Sequence, residues 1–142
     1  MVKPFGVVLF ITNAKGEILS ITRKGNDQSY GLVGGKVDET DLTPRHALNR
    51  EVLEETGVDI SKVSTELSFP IMDYSNPNKP VLIEAFVLPV GTESLFPKDK
   101  VLTPEGTYMQ FLPSLYLNSP EHSEFWEYNT ELYSEIKAYL GV

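Results

Sequence analysis

Residues 34–58, GGKVDETDLTPRHALNREVLEETGV, decide how the rest of the chain is read. They run from a glycine pair through a polar loop into a segment carrying Glu51, Glu54 and Glu55. Thr43 is placed to cap a helix, Pro44 suits its first position, and Gly57 suits the left-handed position just past its end, so the spacing predicts a helix over 44–56. Glutamates at i, i+3 and i+4 share one helix face. At 100° per residue they fall in a sector roughly 100° wide, into which Ala47 and Leu48 also project. A solvated acidic face would stand apart from the apolar stripe; this one overlaps it. Like charges at this spacing cost a helix a few tenths of a kcal/mol, and a hard divalent cation bound through oxygen relieves that cost. Two readings stay open on these residues alone: a Mg²⁺ or Mn²⁺ site, and a surface run of good helix formers. Gly34 and Gly35 likewise allow main chain to approach a ligand closely, or simply mark a turn.

Outside this stretch, the 142 residues predict one domain, 1–142, large enough to bury a core without cross-links. Cysteine is absent, which excludes disulfides, thiolate metal sites and a cysteine nucleophile. The apolar run near the N-terminus is too short to span a membrane and lacks a signal-peptide pattern, so a soluble cytoplasmic protein is expected. A net charge of −8 argues against an extended nucleic-acid surface, which needs clustered lysine and arginine. A small polyanion remains compatible if it arrives with its metal.

The apolar run 5–12, the turn 13–16 and the run 17–22 predict a β-hairpin. The first run is too continuous for a strand with one wet face and should be covered on both sides. A polar loop is expected at 25–29 and a short strand at 30–33 delivering the glycine pair. Strands follow at 63–74, 81–88 and 108–112, with a long loop over 91–106. Glu84 sits mid-strand, either paired in the interior, the favoured reading, or as an extra carboxylate toward the site. Apolar residues from 125 to 140 recur at helical spacing and predict a C-terminal helix starting near Ser119-Pro120 or Asn129-Thr130 and ending at Gly141. Arg23 and Lys24, at a strand end, are either phosphate contacts or solvated charges. His46 faces away from the carboxylates and reads as structural.

The order Gly35, Arg50, Glu51, Val52, Glu54, Glu55, Gly57, Val58 resembles the Nudix box, G-x5-E-x7-R-E-U-x-E-E-x-G-U, with U a bulky aliphatic residue. Asp41 stands where the family has glutamate, one extra residue, assigned to Leu42, lengthens the loop, and Val33 replaces the usual proline. The resemblance implies the α/β class, an α/β/α sandwich with a mixed β-sheet flanked by helices, and a single hydrolase domain with its box at 35–58. It implies a Mg²⁺-dependent, or Mn²⁺-dependent, pyrophosphohydrolase cleaving a nucleoside diphosphate linked to a further group. On these terms the Gly34 carbonyl, Glu51, Glu54, Glu55 and Glu105 hold metal, Glu51 or Glu54 deprotonates water, and Arg50 orients the glutamates. Arg23, Gly35, Tyr74 and Asn129 face the substrate. Asn129 resembles an asparagine with which MutT-type members read guanine, and Tyr74 a tyrosine of diadenosine polyphosphate hydrolases. Nucleoside triphosphates, oxidised or not, rank first among substrates. Diadenosine polyphosphates, ADP-ribose and sugar nucleotides are alternatives, as is a nucleotide-binding regulatory module without turnover.

Overall fold

The computed structural model describes residues 4–64, 67–73, 78–123 and 126–140. Tyr74 and Gly141 lie outside these residues. The apolar run near the N-terminus forms β1 (Gly6–Phe10), and both its faces are covered, as its unbroken hydrophobicity requires. Val7 and Leu9 pack with Ala47, Leu48 and Val52 of helix α1 (Pro44–Thr56). Val8 and Phe10 turn the other way, toward Leu132 and Ile136 of helix α3 (Trp126–Leu140). Each fully buried aliphatic side chain in these layers contributes about 1.5–3 kcal/mol. The class is therefore α/β, with one helix on either side of β1.

The remaining elements are β2 (Ile18–Arg23), β3 (Asn26–Gly31), β4 (Val33–Lys36), β5 (Leu67–Asp73), β6 (Val81–Val87), β7 (Val101–Leu102), β8 (Tyr108–Leu112) and the single turn α2 (Leu115–Asn118). They form two four-stranded sheets ordered β4-β1-β6-β5 and β3-β2-β8-β7. The first is mixed, because β1 runs parallel to β6. Among the described residues no helix is long and apolar enough to cross a membrane.

Four expectations need correction. The turn at 13–16 forms, with the Asn13 side chain accepting from the Lys15 and Glu17 amides at 3.0 and 2.9 Å. Yet β1 and β2 meet only through the Thr12–Ile18 bridge and belong to different sheets, because β1 is flanked by β4 and β6. The polar residues 26–29, expected as loop, lie in β3, an edge strand whose exposed side chains carry no apolar alternation. The long loop over 91–106 contains a 3-10 turn (Thr92–Leu95), β7 and a tight turn. Among the described residues Glu84 makes no ion pair or hydrogen bond, and it does not line the cavity described below, so neither reading of it holds there.

Helix α1 is bounded as its sequence dictates. The Thr43 hydroxyl accepts from the His46 amide at 3.0 Å, and Gly57, at φ 77°, returns its N–H to the Leu53 carbonyl at 2.9 Å. Arg45 ties the helix to the following segment by donating to the Ile60 carbonyl at 2.8 Å. The C-terminal helix begins at Trp126, between its two expected starts.

Candidate active site

The glycine pair lies within β4 rather than in a turn, and close approach on both sides requires it. A Cβ on Gly34 would collide with the main chain of Val7 and Val8; one on Gly35 would collide with the Glu51 carboxylate. β4 is thus wedged between β1 and α1, which brings the helix glutamates against its backbone. The Gly34 amide donates to Glu55 Oε2 over 3.4 Å.

Arg50 braces the acidic helix. Its Nη1 meets Glu51 Oε1 at 3.0 Å and Glu54 Oε2 at 3.3 Å. The other side of the guanidinium holds the loop: Nε and Nη2 donate to the two oxygens of Asp41 at 3.1 and 2.9 Å, and Nη2 also reaches the Lys36 carbonyl at 3.0 Å. Asp41 is 4% exposed and takes a further bond from the Asp38 amide at 2.8 Å. The Arg50 hydrogen bonds outweigh its burial and draw its carboxyl down to about 2, while Arg50 is raised in return. The shorter acid therefore reaches the arginine. Leu42 is expelled, 89% exposed, and its amide donates to His46 Nδ1 at 3.1 Å, giving His46 the structural place expected of it.

Glu51 and Glu55 differ in environment. Burial raises Glu51, with Arg50 opposing. Glu55 is pushed up to about 8, first by burial and then by the charge of Glu51, with Glu105 and Glu54 adding to it and only the Gly34 amide opposing. Glu105 is carried on the turn between β7 and β8. The Thr103 amide donates to the Thr107 carbonyl at 2.8 Å, the two threonine hydroxyls meet at 2.6 Å, and Gly106 adopts φ 82°.

Gly34, Gly35, Glu55 and Glu105 open on a cavity of about 580 Å³. Arg23 and Asn129 line it too, so six of the expected residues converge there. Glu51 stands behind Gly35, and Glu54 is exposed beside Arg50. Tyr74 is not described, although its neighbour Asp73 borders the cavity. Lys24, expected beside Arg23 at the strand end, lines the cavity as well, whereas sequence reasoning missed the lining residue Lys36 and the grip of Asp41 on Arg50. The position of Lys36, next to the glycine pair in β4, was the available signal. Val8, Ile21, Leu32 and Leu132 add an apolar wall.

Carboxylates and a backbone carbonyl are hard oxygen donors that suit Mg²⁺ or Mn²⁺ better than a soft metal. Glu55, raised first by its burial and then by the charges of Glu51, Glu105 and Glu54, is a carboxylate that a divalent cation would stabilise. As placed, among the described residues, no three acidic or histidine side chains are gathered tightly enough to enclose an ion. Arg50 holds Glu51 and Glu54 on its own nitrogens instead.

A family model described as "NUDIX domain" matches residues 2–113. Among solved structures, the chain is similar to the E. coli dihydroneopterin triphosphate pyrophosphohydrolase, with 16% identity, 92% of this chain and 94% of that chain covered, and a TM-score of 0.59. The MutT protein from Methanosarcina mazei Go1 is 22% identical, with 96% and 99% covered and a TM-score of 0.58. A C. elegans Ap4A hydrolase is 15% identical, with 98% and 99% covered and a TM-score of 0.55. At these identities the likeness is one of fold. No curated protein sequence matches the chain.

Proposed function

Since the chain belongs to the NUDIX family of hydrolases acting on phosphorus-containing anhydrides, we propose that it is a Mg²⁺-dependent pyrophosphohydrolase of nucleoside diphosphates linked to a further group, working in the cytoplasm. Nucleoside triphosphates are the first candidates. The observation that carries this reading is Glu55, a carboxyl pushed up to about 8 on the wall of a cavity that it shares with Glu105.

The Gly34 carbonyl with Glu51, Glu54, Glu55 and Glu105 would hold the ion. A bound divalent cation supplies Lewis-acid polarisation of a phosphoryl oxygen and a lower pKa for water. Arg50 keeps Glu51 and Glu54 at fixed positions, and one of these takes the proton of the attacking water. Arg23 and Lys36, on the cavity wall, offset phosphate charge. The apolar wall of Val8, Ile21, Leu32 and Leu132 suits a ring system rather than a second phosphate chain.

The rival, a nucleotide-binding module without turnover, draws on Asp41, Leu42 and Val33. With Asp41 gripping Arg50 and Leu42 expelled, the departures leave the helical half undistorted, which supports the enzymatic reading. The full chain is incubated with nucleoside triphosphates, diadenosine tetraphosphate, ADP-ribose and UDP-sugars, with Mg²⁺ or with chelator, and products are resolved by chromatography. A triphosphate cleaved only with metal is the expected result. Nucleotide binding without product from any of them would leave the module as the better description.

A further inference from the structure

We propose that Asn129 meets the ligand's ring as a hydrogen-bond acceptor only, so that the cavity selects a heterocycle presenting an N–H. This rests on reading the cavity as a nucleotide site. Asn129 lines the cavity and is 4% exposed. Its Nδ2 donates to the Tyr30 carbonyl at 3.2 Å and to Ser123 Oγ at 2.9 Å. The Ser123 hydroxyl itself donates to that same carbonyl at 2.7 Å. This triangle fixes which end of the amide is which. A carbonyl can only accept, and Ser123 has spent its proton on it, so the group facing both must be the N–H₂. Turning the amide over would set three oxygens against one another.

Both donors of Asn129 are therefore used inside the protein, while among the described residues none donates a hydrogen bond to Oδ1. Nor is that oxygen sealed in the interior, since the one buried side-chain atom without a partner among the described residues is Asn118 Oδ1. The anchor is rigid. β3 is a sheet edge, and its Tyr30 amide also donates to the His122 carbonyl at 3.0 Å, so rotating Asn129 would unpick the edge. Leu132, one turn further along α3, and Leu32 line the same cavity. A ring filling this space displaces water from Oδ1, and the acceptor is then satisfied only by a ligand donor. The two-point contact of a free amide, donor and acceptor together, is unavailable, which sets Asn129 apart from a residue reading guanine through both ends of its amide.

Calorimetric titration with nucleoside monophosphates tests this without requiring turnover. The pairs are adenosine monophosphate against purine riboside monophosphate, uridine monophosphate against its 3-methyl analogue, and guanosine monophosphate against its 1-methyl and 2-deamino analogues. For the base that binds tightest, losing the N–H that meets Oδ1, whether on the ring or on an exocyclic amine, should weaken binding about tenfold. Asn129→Ala should bring parent and analogue within about twofold, its fold being checked by thermal melting. Analogues that bind as well as their parents, or discrimination that survives in Asn129→Ala, would overturn the assignment. Should the alanine variant not fold, the wild-type pairs decide. A protein that discriminates N–H in this way yet cleaves nothing would refute the enzymatic proposal and leave this one standing.

Discussion

Glu55→Gln should make the metal-free protein more stable at alkaline pH while removing its turnover. In the wild type the carboxyl rises from 4.5 to about 8, and its nearest opposing influence is one long hydrogen bond from Gly34. An acid whose folded value lies above its unfolded one favours the fold below the unfolded value. That stability is lost as pH rises from about 4.5 to 8. At about 1.4 kcal/mol per pH unit the full swing is about 5 kcal/mol. Glu55 is only partly buried and its acidic neighbours titrate with it, so about 1–3 kcal/mol is the expected measurable loss, or roughly 3–10 °C in melting temperature. Glutamine has the same shape and no charge to desolvate. Thermal melts in chelator from pH 5 to 8.5 should show the wild type losing stability across that range and the variant losing less. Adding Mg²⁺ at pH 8.5 should raise the wild-type melting temperature and leave that of the variant nearly unchanged, while turnover of a cleaved triphosphate falls by about a thousandfold in the variant. A variant less stable than the wild type at pH 8.5 would mean that Glu55 is not an uncompensated charge. A fully active variant would remove it from the reaction.

Asp41→Asn should cost about 3 kcal/mol in chemical denaturation, because Arg50 is left with an unpaired face toward a side chain that is 1% exposed. Activity should fall with it through the loosened Glu51 and Glu54, and Asp41→Glu should recover most of both. Since Asp41 lies near 2 in the fold against 3.8 unfolded, its contribution is present above about pH 4 and lost as pH falls toward 2, a range that acid titration of wild type and variant can compare. The two glycines should separate stability from activity. Gly34→Ala strikes the Val7 main chain and should lower the melting temperature strongly, whereas Gly35→Ala strikes the flexible Glu51 side chain and should keep the fold while losing turnover.

What the sequence determined by itself was the content of single elements. The caps of α1, the shared face of Glu51, Glu54 and Glu55, and the double burial of β1 all follow from interactions within a turn or two, or from composition over a few residues. Spacing encodes such things directly. The tertiary structure decided which elements became neighbours and, through that, what the side chains can do. Asp41 looked like a weakened position until its carboxylate was found on Arg50, and Leu42 like a disruption until the loop expelled it. β1 and β2 share a turn yet join different sheets because other strands take their edges. Glu105 depends on a threonine-bonded turn that its loop-like composition conceals. Asn129 owes its polarity to Tyr30, 99 residues away, and no local pattern records which half of an amide such a partner consumes. Pairing across that separation depends on how two sheets and two helices pack, and this is why the helical half of residues 34–58 and several of the cavity's lining residues were legible in advance while the fit of the loop and the polarity of Asn129 were not.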